Sequence, residues 1–149
     1  MSTATIETPV VQVTRTFAAP RERVFAAWSD PALLKQWFGP AGTKITEFTA
    51  DIRVGGQYRV TMDCGHGFNT VGGEYREITS PSRIAYTWAW LEDNGQFGPE
   101  TIVTIDFQER DGGTEVTLTH ERLTSTESAE NHEKGWIGCL DHLATFLQA

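Results

Sequence analysis

Two helical stretches decide the fold of this chain: AAPRERVFAAWSDPALLKQWFGP at residues 18–40 and HEKGWIGCLDHLATFL at residues 132–147. The residues between them have the pattern of strands, with no helix of comparable length. A long amphipathic helix that follows a run of antiparallel strands can bury its apolar stripe against the sheet that those strands make. We therefore expect a curved sheet that grips the last helix, with space for a ligand between them.

The first stretch contains two short helices and follows an apolar strand, Val10–Phe17. Residues 1–9 are rich in Thr and lack periodicity, so we expect a frayed or disordered tail there. Residues 21–29 place apolar side chains at helical spacing, which predicts the first helix. Asp30 ends that helix and caps a second short one that reaches Trp37.

Six further segments alternate with the two-residue period of strands and are separated by short polar turns. The predicted strands are Thr43–Asp51, Gln57–Asp63, Asn69–Ile78, Arg83–Leu91, Glu100–Gln108 and Thr114–Glu121. Together with the first strand they make a sheet of about seven strands, and the short connections predict an antiparallel meander.

The last helix is predicted over residues 125–148 and would be about 36 Å long at ~1.5 Å per residue. Its apolar stripe is formed by Trp136, Leu140, Leu143 and Leu147, and is widened by Ile137, Cys139 and Phe146. Gly135 interrupts this helix at a cost of about 1 kcal/mol relative to Ala. Its missing side chain either lets the helix lie close to a strand or leaves room for a ligand.

The composition narrows the classes of partner. The 149 residues suit one domain, from residue 10 to 149, and carry 12 Lys and Arg against 20 Asp and Glu, a net charge of −8. An acidic surface repels phosphate backbones and anionic headgroups, so we expect no nucleic-acid partner. No stretch has the ~18 apolar residues of a membrane span or the pattern of a secretory signal, so we expect no membrane insertion and a cytoplasmic location. Cys64 and Cys139 do not form a disulfide framework and are expected to be reduced.

Several motifs identify a family resemblance. TRTFAAPRERVFAAWSDPALLKQWFGP at residues 14–40 resembles the N-terminal signature of the SRPBCC superfamily, the START-like and birch-pollen-allergen-like proteins. Within it the chain is most similar to the family named after the carboxy-terminal domain of the activator of the ninety-kilodalton heat-shock protein ATPase. GGQYRV at 55–60, GGEYREITSPSRIAYTW at 72–88 and the glycine and apolar residues at 135–143 agree with this resemblance. It covers about residues 10–148 and implies an α+β helix-grip fold.

Strand parity proposes which side chains line the inner face of the sheet. The apolar series are Tyr58, Val60 and Met62; Val71, Gly73 and Tyr75; Tyr86, Trp88 and Trp90; Val103, Ile105 and Phe107; and Val116, Leu118 and His120. The opposite parity, which includes Thr87, is charged and Thr-rich and suits water. An apolar wall with a few hydroxyls and one imidazole is typical of a small-molecule pocket, and equally of a filled core. The candidate ligand contacts are Trp37, Tyr58, Met62, Tyr75, Tyr86, Trp88, His120 and Trp136.

Other chemical signals are weak. Asp63, Cys64 and His66 resemble half of a metal site, but no second Cys/His pair stands at a zinc-like spacing, so we expect no metal and no other cofactor. The serines lack a nucleophile-elbow context, and the glycine pairs are hairpin turns with no helix after them, which argues against hydrolase and nucleotide-binding sites of those kinds.

Three functions stay open. The leading hypothesis is a non-enzymatic protein that binds a small hydrophobic molecule, aromatic or lipid-like, between the sheet and the last helix. The second is an enzyme resembling the cyclases, dehydratases or hydrolases of the superfamily, with His120 or a pocket tyrosine as the acid-base group. The third is a protein-interaction or chaperone-related stress-response module. The eukaryotic activator carries a separate N-terminal chaperone-binding domain, and only nine residues precede the first strand here, so we do not expect a chaperone partner; a homodimer stays open.

Overall fold

The computed structural model describes residues 9–39, 42–65 and 67–148. The elements are β1 (Val11–Phe17), α1 (Arg21–Ser29), α2 (Pro31–Trp37), β2 (Lys44–Ala50), β3 (Gln57–Asp63), β4 (Phe68–Thr79), β5 (Arg83–Trp90), β6 (Thr101–Arg110), β7 (Gly113–Glu121) and α3 (Thr126–Gln148). This is the order that the sequence predicts, with ends that differ by one or two residues. The expected N-terminal tail lies, apart from Pro9, outside the described residues.

The seven strands form one antiparallel sheet in the order β1-β7-β6-β5-β4-β3-β2. β1 and β2 are therefore the two edges, although they are consecutive strands in the chain. The connection between them, α1 and α2, has to cross the width of the sheet. This places the two short helices beside α3 and gives the α+β helix-grip fold that the sequence predicts.

The two faces of the sheet separate apolar from polar side chains. On β6, Val103, Ile105 and Phe107 are buried on the inner face, and the residues between them are partly exposed. Thr87 is an exception: the prediction that it faces water is wrong, because it is buried and its Oγ1 accepts a hydrogen bond of 2.8 Å from the backbone N–H of Glu74. This hydroxyl belongs to the β4–β5 pairing rather than to the solvated surface.

The helix α3 packs its apolar stripe on the inner face of the sheet. Ser125 caps its start, since Ser125 Oγ accepts a hydrogen bond of 3.0 Å from the Ser128 N–H. The predicted stripe is buried at Trp136, Leu140, Leu143 and Leu147. The prediction that Ile137 widens it is wrong, because that side chain is 46% exposed on the far flank of the helix. No helix in the described ranges is long and apolar enough to cross a bilayer.

The helices α1 and α2 form a lid over part of the same face. Phe25 of α1 packs edge-on against Phe107 of β6, with ring centroids 5.2 Å apart. Asp30 caps α2 as predicted, accepting a hydrogen bond of 2.9 Å from the Ala32 N–H. Trp37 donates a hydrogen bond of 3.1 Å to the Ala27 carbonyl, which ties the end of α2 to α1. The lid therefore ends in a fixed position, just before Phe38.

Candidate functional site

An open pocket of about 310 Å³ lies between the first half of α3 and strands β3 to β5, beside the end of α2. Its walls are mainly aromatic and are formed by Phe38, Trp88, Trp90 and Trp136. Asn69 and Asn131, both exposed, mark its mouth, together with the half-buried His132. The arrangement can hold a flat apolar molecule and offer it a few polar groups at one end.

The eight residues that the sequence proposes as ligand contacts fall into four places. Met62, Trp88 and Trp136 line the 310 Å³ pocket. Tyr58, Tyr75 and Tyr86 lie deeper, under the lid helices, around a void of about 20 Å³. Trp37 packs within the lid, 4.7 Å from the ring of Trp28, and His120 lies fully buried behind Trp136.

Some residues of the pocket are absent from the predicted contacts. They are Phe38, Gly39, Asn69, Trp90, Asn131, His132, Gly135 and Cys139. The sequence carries a signal for three of them, because residues 132, 135 and 139 lie three or four positions apart and share one face of a helix with the predicted contact Trp136. Gly135 lines the pocket, which agrees with the expectation that its missing side chain leaves room there rather than letting the helix lie close to a strand.

His120 is held by two hydrogen bonds that define its tautomer. An indole N–H can only donate, so the 3.0 Å bond between Trp136 Nε1 and His120 Nδ1 makes Nδ1 the acceptor. The proton is then on Nε2, which donates across 2.7 Å to Thr101 Oγ1. Thr101 in turn donates to the Trp88 carbonyl at 2.8 Å. Burial, and secondarily the nearby His132, lowers the pKa of His120 to about 3, so the ring is neutral at physiological pH.

His132 holds a second tryptophan in the same way. Trp90 Nε1 donates across 3.0 Å to His132 Nε2, and His132 Nδ1 donates across 2.7 Å to the Ser128 carbonyl. The two imidazoles meet edge to face, with ring centroids 4.8 Å apart. Two tryptophan–histidine pairs thus stand side by side along one wall of the pocket and hold the indole rings in place.

The three tyrosines form a compact triangle. Their ring centroids are 5.4 to 5.7 Å apart, and Tyr58 donates a hydrogen bond of 2.5 Å to the Thr87 carbonyl. Burial raises the pKa of all three phenols well above the usual value, with smaller contributions from neighbouring groups at Tyr58 and Tyr86. The phenols therefore remain protonated near neutral pH and are poor bases.

Three buried side chains around these spaces carry a polar atom with no hydrogen-bond partner among the described residues: Trp28 Nε1, Tyr86 Oη and Trp88 Nε1. An unsatisfied buried donor or acceptor costs about 1–3 kcal/mol. A native protein commonly retains such groups where water or a ligand reaches them. The pocket and the void beside it therefore both have unused hydrogen-bonding capacity in their walls.

The residues that resembled half of a metal site serve local structure where they are described. Asp63 accepts a hydrogen bond of 2.8 Å from the Gly65 N–H, and Cys64 Sγ accepts one of 3.1 Å from the Asn69 amide. His66 lies outside the described residues. Within them, no group of three or more His, Cys, Asp and Glu side chains could hold a metal ion.

Cys139 contributes a thiol to the pocket wall. It is buried beside Gly135 and Trp136 on the same face of α3. Burial raises its pKa to about 12, although a hydrogen bond from the Gly39 backbone opposes the rise. The thiolate is the reactive form, so Cys139 acts here as a small apolar side chain rather than as a nucleophile.

Comparison with known proteins identifies the family. The family model described as Activator of Hsp90 ATPase homolog 1-like protein matches residues 18–148. The chain belongs to this family. Its helix-grip fold is that of a ligand-binding type of domain, and the match confirms the resemblance that the sequence motifs indicated. A search of curated proteins finds no match.

Solved structures of bacterial proteins agree with the family. The AHSA1 protein of Silicibacter pomeroyi has 31% identity and a TM-score of 0.85, and the match covers 94% of this chain and 98% of that one. A Chromobacterium violaceum protein has 29% identity, a TM-score of 0.83 and coverage of 94% and 97%. A Rhizobium leguminosarum protein has 25% identity, a TM-score of 0.78 and coverage of 95% of each chain. The family fold thus extends over nearly the whole of this chain.

Proposed function

We propose that this chain binds a small, uncharged, flat aromatic molecule in the 310 Å³ pocket between α3 and the sheet. The observation that carries the proposal is the set of four aromatic side chains around an open space, Phe38, Trp88, Trp90 and Trp136. Aromatic rings attract one another in offset or edge-to-face arrangements beyond the burial of their area. Each of these rings contacts another ring on one side and faces the open space on the other. A flat ligand in that space would contact the rings on their free sides.

The size of the pocket supports a ligand of one or two rings. Its volume of about 310 Å³ is at the lower end of the range for small-molecule sites, roughly 300–1,000 Å³. A dry apolar cavity of about 150 Å³ accommodates one benzene. Twice that volume suits two fused rings better than a long acyl chain.

The chemistry of the wall supports an uncharged ligand. None of the described residues that line the pocket is Asp, Glu, Lys or Arg. A buried charge without a partner is costly, and the net charge of −8 further disfavours anions. The amides of Asn69 and Asn131 can hydrogen-bond a polar substituent at the mouth.

Binding without catalysis agrees best with the state of the ionisable groups. Both ring nitrogens of His120 already make hydrogen bonds within the protein, so this imidazole cannot take a proton from a ligand without breaking one of them. The buried phenols are protonated, with raised pKa values. Neither group has the pKa near working pH that general acid-base catalysis favours.

The test is a titration with 2-naphthol as the aromatic probe and 1-decanol as the aliphatic one, followed by the indole N–H signals in ¹H–¹⁵N NMR. We expect 2-naphthol to shift the signals of Trp88, Trp90 and Trp136 and to leave that of Trp37, which lies outside the pocket and donates to Ala27, nearly unchanged. We expect 1-decanol to bind more weakly. If neither probe shifts the three pocket signals, the proposal is wrong.

A matched pair of variants locates the site. Gly135→Leu places a side chain into the pocket from α3 and should abolish 2-naphthol binding. Lys134→Leu adds the same side chain at the preceding, exposed position and should leave the affinity unchanged. Equal binding by both variants would show that the probe occupies another part of the protein.

A further inference from the structure

A second, smaller chamber lies on the inner side of Phe38. It is the void of about 20 Å³ under the lid helices, lined in part by Trp28, Tyr75 and Tyr86. Phe38 lines both this chamber and the 310 Å³ pocket, and no other described residue does so. Its ring centroid is 6.4 Å from that of Trp28 in the chamber wall and 6.1 Å from that of Trp136 in the pocket wall. Phe38 is therefore the partition between the two spaces.

The chamber has two polar groups that nothing satisfies among the described residues, Trp28 Nε1 and Tyr86 Oη. Both side chains are deeply buried, with 2% and 5% of their surface exposed. The neighbouring phenol of Tyr58 has a partner, the Thr87 carbonyl at 2.5 Å. Among the side chains that line this void, Trp28 and Tyr86 thus lack partners while Tyr58 has one.

We infer that this chamber is the subsite for one uncharged oxygen, a hydroxyl or a carbonyl, on the aromatic ligand. The indole N–H of Trp28 can only donate, so the incoming group has to accept a hydrogen bond, and Tyr86 can either donate or accept. The chamber has room for about one water-sized group. A carboxylate is excluded, because no described residue that lines the chamber is a cation. This inference rests on the proposed function, since it names the substituent of the same ligand.

Entry to the chamber requires the Phe38 ring to move aside. The ring is half-buried at the end of α2 and makes ring contacts of 5.9 to 6.4 Å with Trp28, Trp37, Trp88 and Trp136. Such contacts are not directional in the way that hydrogen bonds are, so a rotated ring can recover part of them. The ligand then replaces Phe38 in contact with the aromatic wall while its oxygen reaches Trp28 and Tyr86.

The test compares naphthalene with 2-naphthol, which differ by one hydroxyl. In the unaltered chain we expect 2-naphthol to bind at least about tenfold more tightly, equivalent to ~1.4 kcal/mol. Tyr86→Phe should remove most of that preference and leave the affinity for naphthalene within about twofold. The matched control is Tyr58→Phe, which should keep the preference, because the hydroxyl it removes already donates to Thr87. Since the Tyr86 hydroxyl has no partner to lose among the described residues, Tyr86→Phe should fold as stably as the unaltered chain.

A crystal structure with 2-naphthol provides a measurement that does not depend on any variant. The naphthol oxygen should lie within hydrogen-bond distance of Trp28 Nε1 or Tyr86 Oη, with the Phe38 ring rotated. Equal affinity for naphthalene and 2-naphthol, or an ordered water that keeps the chamber while the naphthol oxygen lies at the mouth, would overturn the inference and leave the proposed function standing. If neither probe binds, the proposed function itself fails.

Discussion

The two halves of α3 face the same sheet but contact it in different ways. In the C-terminal half, Leu140, Leu143 and Leu147 are buried in the main core. In the N-terminal half, Gly135 and Trp136 face an open pocket of about 310 Å³. One half of the helix therefore fills space and the other half leaves space, although both belong to one continuous element.

Hydrogen bonds account for the difference. Aliphatic side chains pack without directional bonds, so they close up against one another wherever the backbone allows. Trp136 and Trp90 are instead held at their N–H edges by His120 and His132. A ring that is held in this way cannot tilt into the empty space without leaving a buried donor unsatisfied, at a cost of about 1–3 kcal/mol. Polar bonds behind the rings keep the pocket open.

The largest effect on stability is expected in the C-terminal half of α3, where the side chains fill the core. Leu140 is 0% exposed, and Leu140→Ala should lower the free energy of unfolding by about 2–5 kcal/mol, through lost burial and the cavity that remains. Urea denaturation followed by circular dichroism measures the loss. The control is Ile137→Ala, at a side chain that is 46% exposed, which should cost less than about 1 kcal/mol. Equal losses in the two variants would contradict the packing of α3 described above.

The fold could be predicted because its signals are local. The two-residue period of the strands, the Asp30 cap and the helical stripe each follow from a few neighbouring residues. The prediction for Ile137 is wrong because a stripe on a helix has two flanks, and the sequence does not say which of them the sheet covers. The prediction for Thr87 is wrong for a related reason: its hydroxyl is buried by the backbone of β4, a partner thirteen residues away.

The site could be predicted only in part. Parity identified the inner face, which holds Met62 and Trp88 in the pocket and Tyr75 and Tyr86 in the chamber. It could not show how far along each strand the lid helices reach, because that depends on Trp28 and Phe38 packing from a distant part of the chain. Parity therefore assigns the tyrosines to the same space as the tryptophans, although Phe38 separates them.

A pH titration tests the hydrogen bonds of His120, which lies behind Trp136 in the N-terminal half of α3. The unfolded chain protonates His120 near pH 6.5, whereas the folded chain, with a lowered pKa of about 3, does not. Its contribution to stability is therefore complete above about pH 6.5 and is lost progressively as the pH falls toward about 3. Between pH 7 and about pH 4.5 the loss should reach about 2–3 kcal/mol.

The measurement for His120 is a comparison of two pH profiles of unfolding free energy. His120→Gln has no titrating group at this position, so its profile should be flatter than that of the unaltered chain by up to about 1.4 kcal/mol per pH unit in the acid range. Carboxylates elsewhere contribute equally to both profiles and cancel in the difference. Parallel profiles would mean that His120 is not held neutral.

A smaller effect is expected at the second tryptophan–histidine pair. Trp90→Phe removes the N–H that donates across 3.0 Å to His132 and should cost about 0.5–1.5 kcal/mol of stability. It should also weaken 2-naphthol binding, because the ring is no longer held at its edge. Trp37→Phe is the matched control: it removes a buried N–H bond to Ala27 but lies outside the pocket. A similar loss of affinity in both variants would show that general loosening, rather than the pocket wall, is responsible.

The smallest expected change in stability has the opposite sign, and it tests why α3 contains a glycine where its two halves meet. Gly135→Ala should raise the free energy of unfolding by up to about 1 kcal/mol, because Ala favours the helix more than Gly does. Since Gly135 lines the pocket, the added methyl group should at the same time lower the affinity for 2-naphthol. Lys134→Ala, at the exposed neighbour, should change neither quantity appreciably. A gain in stability together with a loss of affinity would mean that the glycine lowers the stability of the helix and raises the affinity for the ligand. A loss of stability would instead place Gly135 in close contact with a strand, and the open half of α3 would then be held by packing as well as by hydrogen bonds.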